Sequence, residues 1–565
     1  MSSTNNENDA SEQSLPNSDS SAAISRSRGR IRRSVRRIVP RAHDPAGTSK
    51  AESGLPAEVA SDLHARQLQE ITETSTVRNK ALRDIARSIS ANVTNPGYYF
   101  ELAEQMQHQG QHDRAARLFQ RALEVDPNHL PSCLGMAQHH IHAGETDKAE
   151  ALLQHATEIE PENLDAVLMW ASMLIAESRT ETAEIRLRRV LEIDPENRVA
   201  LLHLAEIERS RGHVHDAVAL LDQALAQDQC DAASRWGRGM LALQQGEWSY
   251  GWQQYEWRWR TSEIAKRSPS ECALWDGSPL QGKSLFVRGE NLLIDNLMFA
   301  SCLHDLALCQ GQMNTRKCVL EIDQSLLDLF QRSLEHIECV PSGTVSQELT
   351  SSFDFWTPLA SMPRHLRGNS ARFPENMPPL VANESWREMH RSNLFDLGPG
   401  LKVGISWDGL RQQQDGSANA RETIIPNWKP ILDVEGVHLI NLQGPGSDQQ
   451  WQSALDLHPR AELVHWDFVQ PAGDVDDIAS LISALDLVIT VPNRVAHVAG
   501  ALDVPTWTVL ADWPSWRWGL TGERTPWYPT MRLFRSQRPA SWSECFKQMA
   551  KELTQMARKK TNWTR

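Results

Sequence analysis

None of the eight cysteines (Cys133, Cys230, Cys272, Cys302, Cys309, Cys318, Cys339 and Cys545) stands in a CxxC pair. Scattered thiols of this kind exclude a disulfide framework and a zinc ribbon, and they point to a reducing compartment, so the cytoplasm is the expected location. Long apolar runs are missing too: nothing approaches the roughly 18 to 20 residues that a membrane span requires. The N-terminus lacks the apolar stretch of a secretory signal, because its arginine run leads into Pro40 and a polar segment ending at Lys50. No His/Asp/Glu cluster shows metal-ligand spacing, and no metal site is expected. Positive charge is in deficit, with 58 Lys and Arg against 72 Asp and Glu, a net charge of -14. Residues 1–50 run against this balance with nine Lys/Arg and five Asp/Glu, so the remainder is more acidic still. An acidic body of this kind argues against general nucleic-acid binding.

What the chain does have is a ladder. Pro127, Pro161 and Pro195 recur every 34 residues, each preceded by an acid (Asp126, Glu160, Asp194), and Asp228 continues the series where Gln229 replaces proline. Small residues keep the same phase at Ala103, Ala137, Ala171 and Ala205, and again at Ala115, Ala149, Ala183 and Ala217. Gly110, Gly144 and Gly212 fall at the intervening turn, with Ser178 in the third unit. Small residues at fixed phase let paired helices approach closely, and this period and pattern resemble the tetratricopeptide repeat. An α solenoid over residues 96–262 follows, with four full repeats and a modified fifth beginning at Asp231. In the fifth, the second helix exchanges alanines for Trp248, Trp252, Trp257 and Trp259, a bulky face suited to docking a solenoid end on another domain.

Residues 1–56 are rich in Ser, Asn, Asp and Glu and then in arginine, and are expected to be a disordered tail. Its arginines from Arg26 to Arg41 interleave with Ile31, Val35, Ile38 and Val39, which suits either a weak contact with an anionic surface or a plain solvated tail. Residues 57–95 read as a charged helical lead-in. From Trp275 onward the period vanishes and strand-like runs alternate with helical ones. Strands are predicted at 284–287, 318–322, 336–340, 401–407, 437–442, 461–466, 485–491 and 506–510, and helices at 296–309, 325–333 and 475–485. Such alternation implies parallel sheets that bind ligands at the carboxyl ends of their strands. The Pro- and Gly-rich stretch 374–400 divides the region into two Rossmann-like halves, residues 275–390 and 400–555.

Four blocks carry a further resemblance: WDGSPLQGKSLFVRGENLLIDNLMFASCL (275–303), LKVGISWDG (401–409), RVAHVAGALDVPTWTVL (494–510) and DWPSWRWGLTGERTPWYPTMRLFR (512–535). Together they resemble the glycosyltransferase-like domain that follows tetratricopeptide repeats in many bacterial proteins, related to heptosyltransferases and more distantly to O-linked N-acetylglucosamine transferases. The resemblance implies a GT-B fold, an α/β domain of two Rossmann-like halves. The C-terminal half would hold the nucleotide-sugar donor and the N-terminal half would receive the acceptor, with no bound metal or other cofactor.

Sugar transfer needs a base for the acceptor hydroxyl and cations or amides for the leaving phosphate. In the family the first loop reads GEQGLGD and its aspartate is the candidate base; here Asp295 holds that place, while Leu292 and Ile294 replace the inner glycines. Asp295 is read either as base or as N-cap of a helix beginning near Asn296. After the strand LDLVITV the family's Asp-Thr is exchanged for Pro492 and Asn493, followed by Arg494, His497 and Gly500. A helix N-terminus there offers amides and a positive dipole to a diphosphate, with Asn493 as cap and Arg494 as phosphate partner. His497 either touches phosphate or ribose or is satisfied in a helix–sheet interface, and Gly500 permits close packing of helix on sheet. Arg421, in a polar loop whose turn is altered at Asp408 and Leu410, is read as a mobile cation over the leaving group or as a solvated charge. Trp513, Trp516, Trp518 and Trp527 are expected in cores and domain contacts more than on a sugar. The expected function is an inverting, metal-independent glycosyltransferase acting on a protein held by the repeats, flagellin or another surface protein being the acceptor the architecture suggests. The alternative is a catalytically inactive scaffold that keeps the fold.

Overall fold

The computed structural model describes residues 94–177, 179–260, 272–309, 316–346, 350–376, 378–407, 425–443, 452, 462–466, 475–511, 513–536 and 542–563. The tail 1–56, residues 57–93 of the lead-in, Arg421 and the altered turn at Asp408 and Leu410 lie outside them. Five helix pairs come first: α1 (Pro96–His108) with α2 (His112–Val125), α3 (Leu130–His142) with α4 (Thr146–Ile159), and α5 (Leu164–Ala176) with α6 (Thr180–Ile193). Next come α7 (Arg198–Arg211) with α8 (Val214–Gln227) and α9 (Ala232–Gln245) with the short α10 (Trp248–Tyr255), which runs into a 3-10 turn, Glu256–Arg260.

The phased residues account for each joint. Asn95, Asn163, Asn197 and Asp231 occupy one 34-residue phase and cap their helices, the side chains accepting from Gly97, Ala166, Ala200 and Ser234 amides at 2.8–3.1 Å. Gly110, Gly144, Gly212 and Gly246 take φ of 73–82°, the left-handed turn that ends the first helix in four of the five pairs. The acidic rung of the ladder is a turn device as well: Asp126, Asp194 and Asp228 accept the amide two residues on at 2.8–3.2 Å. Phased alanines at 103, 115, 137, 149, 171, 183 and 217 are all buried, which is the close helix approach their size permits.

Two parallel sheets follow. In the first, β1 (Ala273–Leu274), β2 (Ser284–Arg288), β3 (Lys317–Ile322), β4 (Glu338–Pro341) and β5 (Phe355–Pro358) lie in the order β1-β5-β2-β3-β4. In the second, β6 (Leu401–Ser406), β7 (Val437–Asn441), β8 (Glu462–Val464), β9 (Leu487–Thr490), β10 (Thr506–Leu510), β11 (Arg524–Thr525) and β12 (Tyr528–Arg535) lie in the order β11-β12-β10-β9-β6-β7-β8. Every pair is parallel except β11 with β12. In each sheet the chain winds outward from a central strand and then returns to its other side, so a topological switch point lies between β2 and β5 and another between β6 and β9. The Pro- and Gly-rich stretch 374–400 differs from its reading as a divider alone: α13 (Glu384–Phe395) forms inside it, capped by Asn383, with the glycines and prolines confined to its flanks.

Three further helices bear on the site: α11 (Leu293–Cys309), α14 (Val475–Ile482) and α15 (Arg494–Ala501). Helix α11 of the first half packs directly on α15 of the second. The last repeat joins them through Trp252, 1% exposed, whose ring meets Trp248, Tyr255, Phe299, Trp516 and Trp527 at 5.7–6.2 Å. Its indole N–H donates to the Arg367 carbonyl, and Gln244 Nε2 donates to the Pro514 carbonyl, so repeats and both halves share one core. Trp516, Trp518 and Trp527 are all buried in it. Among the described residues no helix is long and apolar enough to cross a membrane.

Candidate functional site

The loop leaving β2 is built by a glycine and an asparagine. A Cβ on Gly289 would lie 2.8 Å from the Glu321 carbonyl and 2.9 Å from Asn296 Oδ1, so a side chain there would displace backbone. Asn296 accepts from the Glu290 amide at 2.7 Å and donates to the Glu290 carbonyl at 2.8 Å, fixing the loop against the first turn of α11. Leu292 and Ile294, which stand at the family's glycines, both have negative φ, since Asp503 is the one positive-φ non-glycine among the described residues. The loop thus runs without the conformations those glycines would allow.

Asp295 is not an N-cap, because α11 begins at Leu293 and places it in the first turn. Its buried carboxylate accepts from Arg517 at 2.9 Å (Nε) and 2.7 Å (Nη2), joining the first half to the turn between Trp516 and Trp518 in the second. Five residues earlier in the chain, Glu290 bridges the first switch point: its Oε1 accepts from the Ala360 amide, just past β5, at 2.8 Å. Burial pushes the Glu290 carboxyl above its ordinary pKa, against the opposing pull of Arg258 3.7 Å away. Arg258 comes from the last repeat, at the phase held elsewhere by Ala122, Ala156, Val190 and Ala224, and it also donates to Glu256 and Ser361. These groups surround a cleft of about 720 Å³, open to solvent, whose walls include Trp236 and Met240 of α9, Arg258, Glu290, Asp295 and Arg517.

At the second switch point the groups that bond one another are neutral. Asn493 caps α15 by accepting from the Ala496 amide at 3.2 Å, accepts from Thr490 Oγ1 at 3.1 Å, and donates to Ser406 Oγ at 2.8 Å across the gap between β9 and β6. Ser406 in turn donates to Gln443 Oε1 at 2.6 Å, which also takes the Trp407 amide. Arg494, at the first turn of α15, is half-buried and has no hydrogen-bond or ion-pair partner among the described residues; burial pushes its pKa down. One turn further, the buried His497 shares a 2.8 Å hydrogen bond with Tyr528 through Nδ1 and packs on Trp518. Burial and then the Arg517 charge push its pKa down to about 3, so it is neutral. Gly500 is needed for the same contact, a Cβ there falling 2.5 Å from the Tyr528 ring.

Of the residues singled out from sequence, the structure brings Asp295, His497 and Gly500 into one buried cluster through Arg517 and Tyr528, with Asn493 and Arg494 at the open end of the same helix. Arg517, Ser406, Gln443 and Arg258 were not anticipated. Arg258 was visible as a break in the alanine phase, and Ser406 as the first hydroxyl after an apolar run. One cluster with metal-ligand reach, Glu208, His213 and Asp216, does occur, on the fourth repeat. Its Glu208–His213 contact of 2.7 Å is repeated two units earlier by His140–Glu145 at 2.6 Å with the partners exchanged, so the pair locks a repeat turn.

Parts of the chain are similar to known proteins. A tetratricopeptide repeat model matches residues 107–169 and 174–237. Protein FlbA of Caulobacter vibrioides is 27% identical over 338 residues, 58% of this chain and 56% of its own, so the chain spans little more than half the length of that relative. Among solved structures, ADP-heptose lipopolysaccharide heptosyltransferase II of Escherichia coli is similar at 13% identity over 48% of this chain and 99% of its own, with a TM-score of 0.35. The tetratricopeptide protein TTC0263 of Thermus thermophilus is similar at 20% identity over 31% of this chain and 93% of its own, with a TM-score of 0.26. The chain thus carries tetratricopeptide repeats, whose phased helix pairs lead into two largely parallel α/β sheets that share one core with the last repeat.

Proposed function

We propose that the protein is an inverting glycosyltransferase that moves a sugar from a nucleotide-sugar to a protein held by the repeats. The observation that carries this reading is the second switch point: a half-buried arginine without a partner among the described residues, at the N-terminus of a capped helix, beside a neutral polar network at the strand ends. A guanidinium left unpaired in that position favours an anion, and a diphosphate supplies one with several acceptor oxygens. In the proposed reaction the acceptor oxygen attacks the anomeric carbon, the bond from that carbon to phosphate oxygen breaks, and the nucleoside diphosphate leaves against Arg494 and the α15 amides. Asp295 takes the acceptor hydroxyl proton. Arg517 holds that carboxylate in position while joining the two halves. A flagellin or other surface protein is the acceptor class we favour, and the cytoplasm, where the buried thiols stay reduced, is the location we favour.

Incubation with a panel of nucleotide-sugars, following both binding and nucleotide release, tests the reading. Binding of one donor with Asp295→Asn abolishing release and Arg494→Ala weakening binding is the expected result; absence of binding across the panel overturns it. A second reading rests on the Asp295–Arg517 pair, which already neutralises the candidate base: an inactive scaffold would bind donor or acceptor without any release.

A further inference from the structure

The last repeat departs from the others at two core positions, and both open on the cleft. On the second helices one 34-residue phase reads Phe119, Leu153, Leu187 and Leu221, all buried, and its fifth member is Tyr255. Three residues on, the phase of Ala122, Ala156, Val190 and Ala224 ends in Arg258. In the first four repeats the second helix packs on the first helix of the next repeat (α2 on α3, α4 on α5, α6 on α7, α8 on α9), so an apolar side chain serves there. Beyond α10 and its 3-10 turn the next described element is β1, and Tyr255 and Arg258 become walls of the cleft that holds Glu290 and Asp295.

Tyr255 is 4% exposed, yet its hydroxyl bonds no described residue. Burial, and after it the charge of Asp295, push its pKa up, so the group stays a neutral hydroxyl; Glu290 acts on it in the same direction. A buried hydroxyl without a partner costs stability that leucine or phenylalanine at this phase does not. Glu290 is committed on one side: Oε1 accepts from the Ala360 amide and faces Arg258, whereas Oε2 bonds no described residue. Its place is fixed, because its amide and carbonyl both bond the Asn296 side chain. Beside Asp295 the cleft thus presents a hydroxyl able to donate and a carboxylate oxygen able to accept.

We propose that Tyr255 and Glu290 grip the main chain of the acceptor residue: Glu290 Oε2 accepts from the amide N–H of the serine or threonine to be modified, and the Tyr255 hydroxyl donates to an adjoining carbonyl. The side-chain hydroxyl is then left to Asp295. Serine and threonine suit this arrangement because they carry two donors, N–H and Oγ–H, on adjacent carbons, and two carboxylates in one cleft match two donors. The carbonyl supplies the partner that Tyr255 lacks. Through the last residue of α10 the repeats therefore contribute a group to the reaction centre itself. This deepens the acceptor side of the proposed function and rests on that reading for the role of Asp295.

The test uses the full chain and the blocked peptide acetyl-Ala-Ala-Thr-Ala-Ala-amide with no donor present, its affinity read by saturation-transfer NMR. An analogue in which an ester oxygen replaces the threonine N–H is expected to bind at least tenfold more weakly, the worth of a hydrogen bond to a charged group. In Glu290→Gln the Ala360 amide selects the side-chain oxygen and leaves the NH2 at the open position, where a peptide N–H meets a second donor. Peptide affinity should then fall at least tenfold, and the gap between peptide and ester should close to about twofold or less. Tyr255→Phe removes one oxygen; it should weaken the peptide about fivefold, the worth of a neutral hydrogen bond, and leave the urea midpoint unchanged or raised. Equal binding of peptide and ester, a gap that survives Glu290→Gln, or unchanged peptide affinity in Tyr255→Phe overturns the proposal. So does a lowered urea midpoint in Tyr255→Phe, which would assign the hydroxyl to the fold. Failure of the parent protein to bind the peptide, or displacement of the peptide by methyl glucoside, overturns it as well. Circular dichroism checks that Glu290→Gln is folded, and the ester and Tyr255→Phe comparisons decide the question without it. The expected pattern in a protein that binds no nucleotide-sugar would keep the grip and remove the transferase, whereas donor turnover without the pattern would do the reverse.

Discussion

At the carboxyl edge of the first sheet the charged groups around the cleft are paired with one another: Arg288 with Glu321, Arg258 with Glu256 and Glu290, and Asp295 with Arg517. At the edge of the second, Ser406, Gln443, Thr490 and Asn493 bond one another and Arg494 carries a charge that no described residue answers. Both edges sit at switch points of sheets with the same winding, so the difference lies in side chains and not in topology. A compensated edge has little to offer an anion, because any new negative group must compete with carboxylates already in place. An edge with one unanswered cation gains from an anion without breaking anything. In the proposed reading this asymmetry sorts the substrates, with phosphate at the second edge and a neutral hydroxyl at the first.

The comparison breaks most severely at Arg517, where the compensated edge borrows its cation from the opposite half. Arg517→Met strands the Asp295 carboxylate in a buried site, and removing one partner of such a pair costs about 3–5 kcal/mol. Urea denaturation should show that loss, and adding Asp295→Leu should recover most of it. If Arg517→Met alone costs less than about 1 kcal/mol, the pair is not what joins the halves. The opposite edge should respond in the opposite currency: Arg494→Ala leaves stability unchanged or slightly raised, because a half-buried cation that pairs with no described residue adds little to the fold. Donor binding, measured by calorimetry, should fall by about 1.5–3 kcal/mol, the usual worth of a charge-assisted hydrogen bond.

How much of this was legible depends on whether the signal was local. The repeats were, since cap, turn glycine and alanine recur in one phase and each acts within its own unit. All eight strands read from apolar runs are present, but β1, β5, β11 and β12 were not read. β5 is four residues long and ends in Pro358, and β12 hides behind Pro529, which lies outside the ladder with β10 that begins at Met531. At the site, Asn493 and Gly500 were readable because a cap and a close helix contact follow from the residue itself. Arg517 was not, although it stands between two named tryptophans, because its partner is 222 residues away and no local pattern marks such a pair. The polar network at the second edge was missed for the same reason: Ser406 ends β6 and Gln443 follows β7, and their meeting with Asn493 is a product of strand order.

Between the two edges lies His497, and acid should expose its position. Its folded pKa is about 3 and its unfolded value is near 6.5, so the unfolded chain binds a proton that the folded chain refuses. Its contribution to stability is therefore complete above about pH 6.5 and is lost as pH falls from there toward the folded value, by up to about 1.4 kcal/mol per unit. Urea midpoints from pH 7.5 to 5 should decline less steeply for His497→Asn, which keeps a polar partner for Tyr528 but does not titrate. An identical slope in the variant would mean that the ring is not held neutral.

The smallest effect tests whether the second edge binds from a rigid support. Asp503 closes α15 at the end opposite Arg494, with φ of 59° and an exposed side chain, the conformation that a glycine adopts without cost. Asp503→Gly relieves about 1–2 kcal/mol of left-handed strain and gives back about 0.4–1 kcal/mol through a freer unfolded chain. A net gain below about 1 kcal/mol is expected in the urea midpoint, while Asp503→Ala, which keeps the Cβ and loses the short polar group that tolerates this region, should lose stability. Neither change touches the strand ends, so donor affinity should stay at the parent value in both. A shift in affinity that tracks the stability change would show that α15 flexes on binding, and the unanswered charge of Arg494 would then owe part of its effect to the mobility of its helix.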